Sequence, residues 1–225
     1  MSMAVETKFL KTINYFKGLS DAELTLIRPF LSEKKYGRRD IIIYEGDAAK
    51  AVYFILAGTV KLFKTSVEGK DQILYIALPG DSFNDVAVFD SGNNPASAQA
   101  MGEVTVFELV KSELTRLLND NPHIASNTIR VLAEQIRQLV TLVEDLSFRN
   151  VLGRVAKILL QYAHEEAGAG PKLTQQEMAA MAGSAREVVG RSLKALEENG
   201  MIKLNRQKVL ITDIEALREM VEEPV

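Results

Sequence analysis

The middle of the chain carries short runs of β-branched and aromatic residues separated by glycine, from about residue 32 to residue 109. Runs of this length, bounded by turn residues, are typical of an antiparallel β-roll or jelly roll. The most prominent runs are 40–44, 51–56, 59–63, 72–77 and 104–109. Residues 6–30 instead show apolar side chains at mixed three- and four-residue spacings, which favours short helices before the sheet.

A helical pattern follows between residues 126 and 148, where apolar side chains recur at alternating spacings of three and four. An a/d repeat sustained over nearly three heptads favours pairing with a second helix. Packing within its own domain is the alternative, since Val131, Val140 and Leu142 lie off the seam. We expect a homodimer because the seam keeps strictly to a and d positions. The seam consists of Ile129, Leu132, Ile136, Leu139, Val143 and Leu146.

The break at residues 148–150 predicts a hinge, because Asn150 is a good cap for a new helix over 151 to about 166. A small-residue linker at 167–171 leads into the last part of the chain. We therefore divide the chain into a sensor domain with N-terminal helices at 1–120, a dimerisation helix at 121–149 and a C-terminal domain at 150–225.

Residues 174–212 predict a helix, a tight turn, a second helix and a hairpin. Thr174 followed by Glu177 forms a capping box at a helix start. Gly183 can take the left-handed conformation that ends this helix, and Ser184 is suited to cap the next one, from 185 to about 199. Two β-prone runs, 201–204 and 208–212, flank a polar turn, so the whole segment indicates a winged helix-turn-helix.

The second of these helices separates two faces when its residues are placed at 100° intervals. Arg186, Glu187, Gly190, Arg191 and Lys194 share one face, and the opposite face is apolar. Arginine can bond guanine, glutamate can accept from cytosine, and glycine allows a close approach to the groove. Because Lys and Arg outnumber Glu by six to three between residues 186 and 208, this face suits double-stranded DNA. A solvated amphipathic helix is the alternative.

The run SAREVVGR at residues 184–191 resembles the recognition helix of the cAMP receptor protein branch of the CRP/FNR transcription regulators. The resemblance implies that Arg186, Glu187 and Arg191 read a TGTGA-like half-site, and that Thr174 and Gln175 lie near phosphates. The expected DNA-binding set is Arg186, Glu187, Arg191, Gly190, Lys194, Thr174, Gln175 and Ser184. RNA polymerase and a small-molecule effector are further partners that the resemblance implies.

The segments at 44–47, 51–60 and 79–81 resemble the cyclic-nucleotide-binding fold of the same family. Members that bind cAMP hold the phosphate with an Arg-Ser pair and the ribose with a glutamate. Asp85 can replace that glutamate, but Pro95 and Ala96 stand where the Arg-Ser pair would be. Apolar side chains also replace the polar adenine contacts on the long helix. The expected pocket comprises Phe83, Asn84, Asp85, Val86, Pro95, Ala96, Ser97, Leu139 and Val140.

We therefore expect an effector other than cAMP. An apolar or aromatic effector and a pocket closed by its own side chains both remain open. Haem sensors occur in the family, but His123 and His164 each lack a partner motif, so haem has no support in the sequence. A ligand-independent regulator is one rival function, and a cyclic-nucleotide-binding signalling subunit that docks protein is another.

Composition excludes several classes of protein. The chain of 225 residues has no cysteine, which excludes disulfides and cysteine-ligated iron–sulfur clusters. No phosphate-loop glycine pattern, metal-ligand cluster or catalytic triad pattern is present, so we do not expect an enzyme. No run approaches a membrane span and the first residues lack a signal-peptide pattern, so we expect a cytoplasmic protein without a membrane partner. The net charge of −3 hides the local basic face.

Overall fold

The computed structural model describes residues 9–162, 173–205 and 208–222. The chain forms two compact units, one from residues 1–64 and 75–138 and the other from residues 65–74 and 139–225. The fold is α+β, with an antiparallel roll, a long helix and a C-terminal group of helices with a small hairpin. The predicted fold class is confirmed.

Eight strands form the roll as two four-stranded sheets. One sheet has the order β1-β8-β3-β6 and the other has the order β2-β7-β4-β5. The pairings with a described register are antiparallel. The strands are β1 (Leu31–Tyr36), β2 (Ile41–Ile43), β3 (Ala51–Ala57), β4 (Val60–Thr65), β5 (Asp71–Ala77), β6 (Ser82–Phe83), β7 (Ser97–Ala100) and β8 (Val104–Val110).

Strand β3 explains why one run in the roll is continuously apolar. Side chains alternate across a strand, and both faces of β3 are buried. Val52 and Phe54 pack with the N-terminal helical segment, whereas Tyr53 and Ile55 fill the interior of the roll. A strand covered on both faces needs apolar residues at successive positions, as this run has.

The helices of the first unit cover one side of this roll. A 3₁₀ turn at Asn14–Phe16 precedes α1 (Asp21–Ile27), and α2 (Asp85–Asp90) and α3 (Lys111–Asp120) follow strands β6 and β8. The long helix α4 runs from Pro122 to Phe148. Its first turns are held in place because Asn127 Nδ2 donates to the carbonyls of Tyr15 (3.1 Å) and Lys17 (2.8 Å).

The second unit contains the C-terminal helices and a two-stranded antiparallel hairpin. Helix α5 begins as predicted, since Asn150 Oδ1 accepts from the Gly153 amide at 2.8 Å. Burial of apolar side chains from each helix against the others stabilises the unit. The elements are α5 (Val151–Tyr162), α6 (Gln175–Ala182), α7 (Arg186–Glu198), β9 (Ile202–Asn205), β10 (Lys208–Ile211) and α8 (Ile214–Glu222).

Some local expectations need correction. Ser184 does not cap α7: the N-cap residue is Ala185, which has no side-chain hydrogen bond there. The predicted linker at 167–171 lies outside the described residues.

Candidate nucleic-acid interface

Helix α6 and the turn after it are fixed by local hydrogen bonds that the sequence predicts. Thr174 Oγ1 accepts from the Glu177 amide at 3.2 Å, and the Glu177 carboxylate accepts from the Thr174 amide at 2.6 Å. Gly183 ends the helix in the left-handed region at φ 58°. A Cβ there would also lie 2.8 Å from Leu146 Cδ2, so a larger residue would clash as well as strain the backbone.

Helix α7 is anchored through its apolar face. Val189, Leu193 and Leu196 are buried in the core of the second unit. Burying a side chain of this size contributes about 1.5–3 kcal/mol, so three of them fix the rotation of the helix about its axis. The opposite face is therefore held toward the outside of the unit.

That opposite face is polar and unengaged. Arg186, Glu187 and Arg191 are exposed. Within the described part of the chain, these three side chains make no hydrogen bond or ion pair. Lys194 lies on the same face, and its Nζ is 3.6 Å from the Glu198 carboxylate. A pair this exposed contributes little to stability, so Lys194 also remains available to a partner.

Gly190 lies on the same helix face, between Arg186 and Lys194. The nearest atom to a Cβ at this position would be Gln175 Oε1 at 3.9 Å, which is ordinary van der Waals contact. The structure thus places Gln175, at the start of α6, beside the exposed face of α7. No clash with the described residues requires glycine here. A close approach by a partner from outside would explain it.

The hairpin that follows is attached to α7 by a residue that the sequence alone did not mark. Glu197 Oε1 accepts from the Leu204 amide at 2.7 Å and so joins α7 to strand β9. Thr212 Oγ1 donates to the Gly200 carbonyl at 2.7 Å and closes the base of the hairpin. The turn residues 206–207 lie outside the described residues. Glu197 shows no sequence signal, because its partner is a backbone amide.

The predicted hinge carries a charge cluster. The Asp145 carboxylate accepts from Lys157 Nζ at 2.6 Å and from Arg149 Nε at 2.8 Å. The i,i+4 spacing of Asp145 and Arg149 is visible in the sequence, but Lys157 lies beyond the break and could not be placed there. The cluster fixes the end of α4 against α5.

In the first unit, the Asp85 carboxylate is fully buried and already has partners. It accepts from the Tyr15 hydroxyl, and its second oxygen accepts from Gln135 Nε2 at 3.0 Å. Burial raises the pKa of the Asp85 carboxyl above its ordinary value, although these hydrogen bonds oppose the shift. Asp85 therefore joins the N-terminal segment and α4 to the roll.

Other residues of the predicted pocket are also buried or bonded to neighbouring residues of the roll. Phe83 and Ala96 are buried, and Phe83 stacks on Tyr53 in the apolar core of the roll. Lys64 Nζ donates to the Pro95 carbonyl at 3.0 Å and pairs with Glu45 at 2.5 Å. Ser97 Oγ accepts from the Glu45 amide at 3.0 Å. The carboxylate of Glu45 thus neutralises the cation nearest to the Pro95–Ala96 corner.

The roll also has an open cleft of about 470 Å³. Of the predicted pocket residues only Asn84 lines it, and Val86 is exposed elsewhere on α2. Leu139 and Val140 lie on α4 and are exposed there by 43% and 61%. The cleft is lined by Ile42, Ile43, Tyr44, Asp47, Ala48, Lys50, Tyr53, Asn84 and Asn94.

Of the two histidines that the sequence offers as haem ligands, the structure describes one. His123 is exposed at the start of α4, and His164 lies outside the described residues. In the described part of the chain, no group of three or more His, Cys, Asp or Glu side chains could hold a metal ion. No helix in the described ranges is long and apolar enough to cross a membrane.

The sequence matches known protein families in both units. A cyclic nucleotide-binding domain family matches residues 33–121, and a Crp-like helix-turn-helix domain family matches residues 153–220.

Two curated relatives match over nearly their whole lengths. The CRP-like cAMP-activated global transcriptional regulator of Mycobacterium tuberculosis is 32% identical over 217 residues, which cover 93% of this chain and 97% of the relative. The cyclic AMP receptor protein of Thermus thermophilus is 31% identical over 205 residues, covering 91% and 95%.

Solved structures give the same result for the fold. The structure of FixK2 from Bradyrhizobium japonicum has a TM-score of 0.76 at 23% identity and covers 87% of this chain and 99% of its own. The Thermus thermophilus catabolite activator protein has a TM-score of 0.55 at 31% identity and covers 92% of this chain and 98% of its own.

Proposed function

Since the chain belongs to the CRP/FNR family of DNA-binding transcription regulators, we propose that it acts as a homodimer that reads a TGTGA-like palindrome. The main observation in support of this proposal is the exposed face of α7. Arg186, Glu187 and Arg191 lie on a helix whose opposite side is buried, and they bond no other residue that the structure describes. Donors and an acceptor in this arrangement match the base edges of the major groove.

The surface of α4 supports a dimer. Five of the six seam residues are exposed, including Ile129 by 69%, Ile136 by 61% and Val143 by 63%. A row of apolar side chains at heptad positions favours burial against a second helix. A second copy of this chain offers an identical seam, and two copies would present two recognition helices to the two half-sites of a palindrome.

The sensor domain supports an effector other than cAMP. The two relatives named above are a cAMP-activated regulator and a cyclic AMP receptor protein. In this chain the Pro95–Ala96 corner offers no arginine, the nearby Lys64 is paired with Glu45, and Asp85 bonds Tyr15 and Gln135. An anionic cyclic phosphate would lack its charge partner there.

The burial of Phe83 and Ala96, two residues of the expected pocket, favours a second candidate, a regulator of the same kind that works without a ligand. In both candidates the protein acts in the cytoplasm on double-stranded DNA and with RNA polymerase. They differ only in whether a small molecule biases the sensor domain.

Fluorescence anisotropy on two duplexes tests this proposal. The purified protein, with and without cAMP, is titrated onto a TGTGA palindrome and onto a scrambled duplex at one stated salt concentration. We expect the palindrome to bind more tightly by at least about tenfold, and we expect cAMP to leave that ratio unchanged. Equal affinities would contradict the readout, and a large gain with cAMP would contradict the assignment of the effector.

A further inference from the structure

The side chain of Arg154 connects the ends of two helices in the second unit. Its Nε donates to the carbonyl of Ala182 at 2.7 Å. Its Nη1 donates to the carbonyl of Arg149 at 2.5 Å and, more weakly, to that of Asp145 at 3.4 Å. Ala182 is the last residue of α6, Asp145 lies in the last turn of α4, and Arg149 directly follows that helix.

The Asp145 carbonyl already accepts from the Arg149 amide at 3.2 Å, so the carbonyls of Ala182 and Arg149 are the main acceptors of Arg154. The last carbonyls of a helix have no amide partner within the helix, and they lie at the negative end of its dipole. A guanidinium is a planar cation with several donors, so one side chain can bond two helix ends at once. Arg154 is half-buried at the start of α5, which holds its charged group between the two ends.

The bridged ends have different roles in the proposed dimer. The end of α4 follows the apolar seam, and Ala182 directly precedes the Gly183 turn that leads into α7. The Asp145 carboxylate at the same junction is already held by Arg149 and Lys157, so it does not neutralise Arg154 through a direct contact. Arg154 thus connects the end of the pairing helix directly to the helix-turn-helix.

We propose that Arg154 is a positioning residue that sets the distance between the two recognition helices of the dimer. It does not read bases and it does not form the dimer seam. It determines which spacing between two half-sites the dimer accepts. This inference rests on the proposed function, because spacing has meaning only for a dimer on a palindrome.

The test measures affinity as a function of half-site spacing. Palindromes are prepared whose central spacer is the best one for the wild-type protein, or is longer or shorter by one and two base pairs. The wild-type protein, Arg154→Met and Arg154→Lys are titrated onto each duplex at one salt concentration. Arg218→Met is the matched control, because Arg218 makes an exposed ion pair with Glu215 within a single helix.

We expect the wild-type protein and Arg218→Met to prefer the best spacer over the altered ones by about tenfold or more, the order of effect of a charge-assisted hydrogen bond. In Arg154→Met this preference falls to about threefold or less, while discrimination against a changed base pair within a half-site is retained. Arg154→Lys keeps the charge but not the planar group, and it shows the same relaxed spacing.

Three results separate the possibilities. An unchanged spacing preference in Arg154→Met would overturn the inference, and so would an equal loss of affinity at every spacing, which a purely structural role or a phosphate contact would produce. If Arg154→Met does not fold in a thermal unfolding experiment, Arg154→Lys decides by the same criterion. A wild-type protein with no preferred spacing would instead contradict the proposed dimer on a palindrome.

Discussion

Gly190 shows how a single residue can indicate a partner outside the chain. Glycine inside a helix lowers stability by about 1 kcal/mol relative to alanine. The space around Gly190 would accept a Cβ, since the nearest atom would be 3.9 Å away. The described residues therefore give no packing reason for glycine at this position, and the proposed close approach of α7 to DNA supplies one.

Replacing Gly190 with alanine should separate stability from function. We expect Gly190→Ala to raise the free energy of unfolding by about 0.5–1 kcal/mol, because alanine restricts the unfolded chain. The same change should weaken binding to the palindrome, because the added methyl group keeps the helix from its closest approach. Chemical denaturation and anisotropy measure the two effects. A variant that is less stable, or that binds the palindrome as well as the wild-type protein, would contradict this explanation.

The buried carboxyl of Asp85 should make the stability of the folded protein depend on pH. Its pKa is raised in the folded protein by burial, so the folded state holds the proton more tightly than the unfolded state. Stability contributed by this group is full below the ordinary carboxyl pKa and decreases as the pH rises toward the raised value. Two other acidic groups lie in the same region. Burial also raises the pKa of the Asp81 carboxyl, and the charge of Glu134 raises it further. Both groups are still present in an Asp85 variant.

Asp85→Asn should remove this dependence. We expect the stability of the wild-type protein relative to Asp85→Asn to fall by up to about 1.4 kcal/mol per pH unit as the pH rises above the ordinary carboxyl pKa. Urea denaturation at a series of pH values measures the difference. Parallel curves for the two proteins would show that Asp85 titrates alike in the folded and unfolded states.

Residues defined by local patterns could be predicted from the sequence, and those with distant partners could not. Thr174 and Glu177 lie within one helix turn of each other, and Gly183 ends the same short helix, so their spacing alone indicates their roles. The partners of Asp85 lie 70 and 50 positions away in the chain. Only the folded roll brings them together, and the sequence therefore showed a possible ligand for an effector where the structure shows a buried internal bond.

Among the elements, strand β1 shows what the pattern of apolar residues misses. The sequence of β1, LSEKKY, has no alternation, and four of its six residues are exposed. It pairs with β8 alone at the edge of its sheet, where charged side chains are tolerated. Strand β3, which is buried on both faces, was recognised from its continuous apolar run. Burial by neighbouring elements decides which strands leave a signal in the sequence.

The apolar seam of helix α4 leads to a prediction about dimerisation. We expect Ile136→Glu to dissociate the dimer at micromolar concentration, because a carboxylate would be buried in the seam opposite its own copy. Gln138→Glu adds the same charge to an exposed position off the seam and should leave the dimer intact. Sedimentation velocity measures both variants. Dissociation of neither variant, or of both alike, would contradict the assignment of the seam.

At the scale of the molecule, function follows from where charge and apolar surface lie rather than from their totals. The net charge of −3 would not indicate a nucleic-acid partner. The exposed face of α7 concentrates arginine and lysine, while α4 exposes a row of apolar side chains. Together they support the proposed protein, which pairs with itself and presents the basic face of two recognition helices to DNA.

The most direct test of this account measures affinity for single base-pair variants of the palindrome, using the wild-type protein and Glu187→Ala. The wild-type protein should lose about 1–3 kcal/mol of binding free energy at each contacted base pair. Glu187→Ala should lose discrimination at one base pair in each half-site and keep it at the others. If Glu187→Ala discriminates among all variants as the wild-type protein does, α7 does not read the site and the central claim is wrong.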